Sequence, residues 1–214
     1  MKKLLLLTAL ISMGLVRLYA QPNVFDPADP IVYYPSSAPT TNWGSIQKWV
    51  VTDRNLGWNT SSYKAYHFNG VSFRLKFPKS YQHNVNDGKK YPVMIFWHGA
   101  GEKGWIYDNE IHLLQGGEVF RDRVDNGDFD GFLLFPQNTG GSFGVSYYEP
   151  VLQVIDSLAK YCKLDVDRVW VNGASAGGSA CFDITAGYPT RIAKATPSSA
   201  AALGIIPIIP QFIH

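Results

Sequence analysis

The sequence predicts one α/β domain, with a mostly parallel β-sheet flanked by helices. Two continuous apolar runs, Tyr91–Trp97 and Gly131–Pro136, are typical of strands buried on both faces. Strand and helix patterns alternate along the second half of the chain, as parallel sheets require. The length of 214 residues, with 46% hydrophobic and 17% charged side chains, suits one packed domain and is short for two.

The first 20 residues have the pattern of a secretory signal peptide. Lys2 and Lys3 precede an apolar stretch over residues 4–16, and Ala20 supplies a small residue for cleavage. The stretch is short for a membrane span and Arg17 interrupts its flank, so a membrane anchor is the less favoured alternative. We therefore expect a secreted or periplasmic protein without membrane attachment after cleavage.

Charge and cysteine spacing exclude several classes of function. Without residues 1–20 the chain has 16 basic and 17 acidic side chains, a net charge of −1, because three basic residues and no acid are removed. No basic block remains, so nucleic acid is not an expected partner. Cys162 and Cys181 either form a disulfide or fill buried apolar positions, and their spacing disfavours redox chemistry and structural zinc.

The chain after residue 20 divides into two parts. Residues 21–60 are rich in Pro, Ser and Asn at their start and predict an extended arm followed by short strands. Residues 61–214 are assigned to the α/β domain. Within it, residues 67–77 largely alternate apolar and polar side chains and end at Pro78, which predicts an antiparallel strand pair near a sheet edge.

The later elements follow from hydrophobic periods and from helix-breaking residues. Apolar side chains recur at helical spacing in some segments and in short strand-like runs in others. In chain order, beyond the two apolar runs, the predicted elements are a helix around residues 109–123, a helix over 149–162, a strand from Val166 to Val171, a helix from the 173–178 segment to about Tyr188, and a strand beginning at 192–195.

The segment with the clearest chemical content is Gly173-Ala174-Ser175-Ala176-Gly177. It matches Gly-x-Ser-x-Gly between a predicted strand and a predicted helix, where the glycines allow a sharp turn that exposes the serine hydroxyl. The helix N-terminus favours negative charge beside that hydroxyl. We therefore predict Ser175 as the nucleophile of an acyl-transfer site; the alternative is an ordinary serine in a glycine-rich turn.

A second segment, His98-Gly99-Ala100-Gly101, follows the first buried strand. Acyl transfer develops negative charge on the carbonyl oxygen, and two fixed N–H donors stabilise that charge. We expect the Ala176 N–H to be one donor of this oxyanion hole and the Ala100 N–H, or else that of Gly101, to be the other. His98 is expected to brace the loop.

With these segments the chain resembles secreted bacterial carboxylesterases of the α/β-hydrolase superfamily. The group includes feruloyl- and acetyl-esterase-like, polyhydroxybutyrate depolymerase-like and prolyl-oligopeptidase-like proteins. The resemblance covers about residues 68–200 and also rests on Phe135-Pro136-Gln137 and on residues 165–171.

The resemblance implies an α/β-hydrolase fold and a serine carboxylesterase that acts on small or polysaccharide-linked esters. It implies that Glu102 holds the loop, and no metal or organic cofactor is expected. A peptidase of prolyl-oligopeptidase type and a non-catalytic binding protein are the alternatives. Trp105, Gln137 and Tyr147 are candidates for the substrate cleft, and core or surface packing is the alternative for the aromatic residues.

The sequence departs from this family where the base is expected. A serine nucleophile needs a histidine base and an orienting carboxylate, which in this superfamily follow the serine in the chain. After Ser175 there is one acid, Asp183, inside the predicted helix, and one histidine, His214. Because residues 205–213 resemble the lead-in to a further strand, we expect an incomplete hydrolase domain that lacks its C-terminal strands; a minimal enzyme with His214 as base is the alternative.

Overall fold

The structure is a computed structural model that describes residues 25–29, 32–33, 50–52, 56–104, 106–108 and 110–200. The predicted signal peptide, Trp105 and His214 lie outside these residues. Among the described residues, no helix combines the length and the apolar character that crossing a membrane requires.

A six-stranded mixed sheet forms the centre of the domain. Its strands in chain order are β3 (Lys64–Phe68), β4 (Val71–Lys76), β5 (Tyr91–Trp97), β6 (Phe132–Gln137), β7 (Leu164–Ala174) and β8 (Lys194–Ser198). Two shorter strands, β1 (Val32–Tyr33) and β2 (Val51–Thr52), pair in parallel as a separate ladder.

The spatial order of the sheet is β3-β4-β6-β5-β7-β8. Strands β5 to β8 run parallel to one another, whereas β3 and β4 are antiparallel and β3 lies at the edge. This confirms the predicted antiparallel pair near an edge and the predicted parallel strands. Because parallel strands end on the same side, the loops after β5, β6 and β7 meet at one edge of the sheet.

The central strands of the sheet are buried on both faces, which explains the continuous apolar runs of β5 and β6. In β5, Val93 and Ile95 contribute to the core on one face, while Met94 and Phe96 contribute to a second core on the other. Leu134 and Leu133 of β6 divide in the same way. A strand with apolar residues on both faces is stable only between two layers, so helices cover both sides.

The helices are α1 (Gly117–Asn126), α2 (Val145–Tyr161) and α3 (Ala176–Gly187). The helix predicted around residues 109–123 begins later, because Gly116 has a left-handed φ of 80° that separates α1 from a short 3-10 turn over Ile111–Leu113. Helix α2 begins four residues before its predicted start and includes Pro150. The predicted bounds omitted this first stretch because its apolar period begins only at Val151.

The beginning of the predicted extended arm packs on the domain. Phe25 is 1% exposed, and its ring lies against Tyr66 and Phe73 at centroid distances of 4.9 and 5.8 Å. The Tyr66 hydroxyl donates a hydrogen bond to the Asp26 carbonyl. Cys162, whose thiol donates to the Phe25 carbonyl, and Cys181 are both buried free thiols, so they do not form a disulfide.

Candidate active site

Ser175 lies at a sharp bend between β7 and α3. Its φ of 56° and ψ of −117° are rare for a residue with a side chain, and such conformations cost about 1–3 kcal/mol and cluster at functional sites. The residue is exposed, and its backbone N–H donates to the Ser198 carbonyl of β8 at 3.0 Å. Although Ser175 is the N-cap of α3, its side chain makes no capping hydrogen bond, so the helix does not use its hydroxyl.

Two glycines allow this bend because no side chain fits there. A Cβ on Gly177 would collide with the Trp97 carbonyl and lie 2.7 Å from that of His98. A Cβ on Gly173 would collide with the Gly177 carbonyl and lie 2.8 Å from that of Trp97. The first turn of α3 is therefore in direct contact with the end of β5, which brings the loop after β5 beside Ser175.

The loop after β5 continues as a 3-10 turn over Ala100–Glu102. A Cβ built on Gly99 would lie 3.8 Å from the Ser175 Cβ and 3.6 Å from the Ala174 carbonyl, so Gly99 and Ser175 are neighbours. Ala100 and Ala176 each begin a helical turn, where the N–H groups have no partner within the helix. Gly101 is exposed, and a Cβ there would meet open space.

Hydrogen bonds from both sides hold this loop. The buried His98 bridges it to the loop after β6: its Nε2 accepts the Asn138 N–H at 2.9 Å, and its Nδ1 lies 2.7 Å from the Gly99 carbonyl. Glu102, which is 3% exposed, accepts the Gly99 N–H at 3.2 Å. Burial lowers the pKa of His98 and raises that of Glu102. His98 therefore occupies a bracing position.

A buried polar group ties the same region to β4. The guanidinium of Arg74, which is fully buried, donates to the Glu110 carboxylate at 2.7 Å and to the Tyr63 carbonyl at 2.7 Å. Thr60 donates its hydroxyl to the same carboxylate. His112, also fully buried, has its pKa lowered well below the usual value by burial, by His98 and by Arg74.

The remaining candidate residues have hydrogen-bond partners other than Ser175. Gln137 is buried at the end of β6, donates its amide to the Asp108 carbonyl at 3.0 Å, and accepts the Tyr147 hydroxyl on its own carbonyl. The Tyr147 ring packs against Trp97. Asp183 accepts a long hydrogen bond of 3.4 Å from the Tyr148 hydroxyl, in the third turn of α3.

Three residues around the site, Asn138, Arg74 and Glu110, were not predicted from the sequence. Asn138 contributes its backbone N–H, and the residue type gives no indication of such a backbone contact. Arg74 and Glu110 are 36 residues apart, and only the polar character of Arg74 within an apolar strand could have indicated a buried pair. The described residues contain no cluster of three or more His, Cys, Asp or Glu side chains placed to bind a metal ion.

The architecture is similar to the crystal structure of a thermostable esterase, with a TM-score of 0.51 and 28% sequence identity. The chain has the α/β-hydrolase fold. The match covers 64% of this chain and 40% of the esterase, so the chain spans less than half the length of that relative. An S-formylglutathione hydrolase from Staphylococcus aureus (TM-score 0.49, 18% identity, 65% of this chain and 58% of the hydrolase) and a ferulic acid esterase (0.45, 22%, 61% and 52%) were also found. No family model and no curated protein matches the sequence.

Proposed function

We propose that this α/β-hydrolase domain carries the nucleophile and oxyanion hole of a serine carboxylesterase. The observation that carries the proposal is the state of Ser175, which is exposed, strained at φ 56°, and free of any capping bond although it starts a helix. A structural serine at an N-cap would bond its own helix. The likeness to a thermostable esterase at 28% identity supports ester cleavage.

The proposed reaction forms and breaks one acyl-enzyme. The Ser175 oxygen attacks the ester carbonyl carbon while a base takes its proton, and the carbonyl oxygen becomes an oxyanion. That oxyanion accepts hydrogen bonds from the Ala176 and Ala100 N–H groups, with Gly101 as the other candidate for the second donor. The intermediate then expels the alcohol, which receives the proton. Water next attacks the acyl carbon while the base takes its proton, and the second tetrahedral intermediate breaks its bond to the Ser175 oxygen, which regains the proton, and releases the acid.

The position of Ser175 also favours negative charge during the reaction. It stands at the N-terminus of a 12-residue helix, whose partial positive charge favours negative charge on the oxygen and on the adjacent oxyanion. The four described histidines have other positions: His67 and His83 lie beside the Ser72 and Tyr81 hydroxyls, His98 bonds Gly99 and Asn138, and His112 is fully buried. His214 is the candidate base of the minimal enzyme, the alternative to an incomplete domain.

We propose small or polysaccharide-linked carboxylic esters as substrates, cleaved outside the cytoplasm. The location rests on the signal-like pattern of residues 1–20. Edman sequencing of the protein recovered from the periplasm or medium of an expressing bacterium tests it. The expected first residue is Gln21, and an N-terminus that still includes Lys2 and Lys3 in the cell interior would contradict secretion.

Ester hydrolysis by the purified chain tests the proposed nucleophile. We expect hydrolysis of a short aryl ester to fall on the order of a thousandfold or more in Ser175→Ala, because the covalent route is lost. Ser61→Ala, an exposed serine in another loop, is the matched control and should keep the full rate. A fluorophosphonate should add to Ser175 and be absent from Ser175→Ala in a peptide mass map. Equal rates in the wild type and Ser175→Ala would refute the proposal.

The base is tested separately with His214→Ala. With His214 as the base, this variant should lose both ester hydrolysis and fast fluorophosphonate labelling, since an unactivated hydroxyl reacts slowly. Unchanged labelling in His214→Ala, with labelling still dependent on Ser175, would exclude His214 as the base and leave the role of Ser175 intact.

A further inference from the structure

The imidazole of His98 is held in one tautomer by its two partners. The Asn138 N–H points at Nε2 from 2.9 Å, so Nε2 accepts and carries no proton. In the neutral ring the proton must then sit on Nδ1, from which it is donated to the Gly99 carbonyl oxygen at 2.7 Å. The bridge between the two loops therefore needs the neutral, Nδ1-protonated form of the ring.

The hydrogen bond to the Gly99 carbonyl orients the whole Gly99–Ala100 peptide group. The carbonyl of Gly99 and the N–H of Ala100 belong to the same planar peptide unit and point in opposite directions across it. A donor that holds the carbonyl on one side therefore sets the direction of the Ala100 N–H on the other. The Glu102 N–H also donates to the Gly99 carbonyl, at 3.1 Å, so two donors hold this oxygen in place.

The surroundings keep the ring from turning. His98 is fully buried, its ring lies 5.0 Å from that of Phe143 in an edge-on contact, and the ring of His112 lies 6.3 Å away. Gly99 is also held from its other side, because its N–H donates to Glu102.

We propose that His98 is a positioning residue, which aims the Ala100 N–H at the oxyanion by holding the Gly99–Ala100 peptide through its Nδ1–H. This role rests on the proposed esterase function, because it concerns the second donor of the oxyanion hole. His98 transfers no proton in the reaction. Its partner Asn138 acts only to select the tautomer.

Two substitutions distinguish the effect of the hydrogen bond to Gly99 from the effect of side-chain packing at position 98. In His98→Asn the side-chain amide nitrogen takes the place of Nδ1 and can still donate to the Gly99 carbonyl, whereas His98→Leu fills similar volume without a donor. We expect His98→Leu to lower kcat on the aryl ester by roughly ten- to a hundredfold with KM within about twofold, since a misdirected donor weakens the transition state. His98→Asn should retain most of kcat.

Two further readouts make the role specific. A boronic acid adds to the serine oxygen to form a tetrahedral adduct, and its affinity should weaken in His98→Leu by about the same factor as kcat. Nitrogen-15 NMR of the histidine-labelled full chain at pH 7 should show an Nδ1-protonated imidazole whose signals disappear in His98→Asn, which assigns them to His98. Thermal unfolding of each variant distinguishes loss of folding from a misdirected Ala100 N–H. If His98→Leu does not fold, the tautomer of His98 and the kcat of His98→Asn test the positioning role.

The outcomes distinguish the two proposals. A wild-type chain that neither hydrolyses the ester nor binds the boronic acid overturns the esterase function and, with it, the role given to His98. An active wild type with an Nε2-protonated His98, or a His98→Leu variant as active as His98→Asn, overturns the positioning role alone.

Discussion

At Ser175 the backbone adopts a conformation that is unfavourable for the isolated residue, and contacts elsewhere must compensate for it. The compensation comes from close backbone approach: α3 and β7 lie against the end of β5 at Gly173 and Gly177. Only glycine fits at these contacts, because a Cβ at either position would overlap a carbonyl group. The strained conformation of Ser175 therefore depends on glycine at positions 173 and 177.

We predict that Gly177→Ala lowers the free energy of unfolding by roughly 1–3 kcal/mol or more, because the added methyl overlaps the Trp97 carbonyl. Gly187→Ala is the matched control in the same helix, since a Cβ there meets nothing within 4 Å. Urea unfolding monitored by tryptophan fluorescence measures both. A Gly177→Ala chain as stable as Gly187→Ala would show that α3 does not approach β5 so closely.

Between elements, a buried ion pair connects β4 to the segment that precedes the 3-10 turn Ile111–Leu113. Arg74 and Glu110 are 0% and 3% exposed in their side chains, and Thr60 adds a third hydrogen-bond partner. Such a pair adds little net stability over apolar residues, but losing one member leaves a charge buried without its partner. The pair therefore holds the chain after the Gly99 loop against the sheet.

We predict that Glu110→Ala lowers the free energy of unfolding by roughly 3–5 kcal/mol, because the Arg74 charge stays buried without its carboxylate. Asp128→Ala removes a pair with Arg123 whose side chains are 52% and 63% exposed, and it should cost about 0–1 kcal/mol. Guanidinium unfolding midpoints compare the two variants. Similar losses in both would contradict burial of the Arg74–Glu110 pair.

For the whole molecule, buried histidines make folding depend on pH. Burial lowers the pKa of His98, and burial together with the neighbouring His98 and Arg74 side chains lowers the pKa of His112. Burial also lowers the pKa of His67. Below an unfolded-state pKa of about 6.5 the unfolded chain binds protons that the folded chain does not, so stability is lost as the pH falls.

We predict that the free energy of unfolding decreases from pH 7 to pH 5.5, with His112 as the largest single contributor because its pKa is lowered well below the usual value. Each such histidine contributes at most about 1.4 kcal/mol per pH unit. Urea titrations at several pH values measure the slope, which should become shallower in His112→Leu. An unchanged slope in that variant would contradict neutral burial of His112.

Much of the sheet could be predicted from the sequence because its signals are local. Continuous apolar runs predicted β5 and β6, and alternation predicted the β3–β4 pair. Helix starts were less accurate: the Gly116 break delays α1, and α2 begins before its apolar period does. The packing of Phe25 escaped prediction because a single apolar residue in a polar segment has no period to reveal its partner.

Local signals in the sequence are sufficient for the bend at residues 173–177 and for the order of strands and helices, since turn glycines and hydrophobic periods act between near neighbours in the chain. The folded structure shows in addition that Gly99 lies beside Ser175, that Asn138 sets the tautomer of His98, and that Arg74 is buried with Glu110. These contacts join residues 36 or more positions apart. The contacts of Gly99 and Asn138 are made close to or by the backbone, which residue types do not reveal. A charged Arg74 in an apolar strand indicates a buried partner, but not that the partner is Glu110.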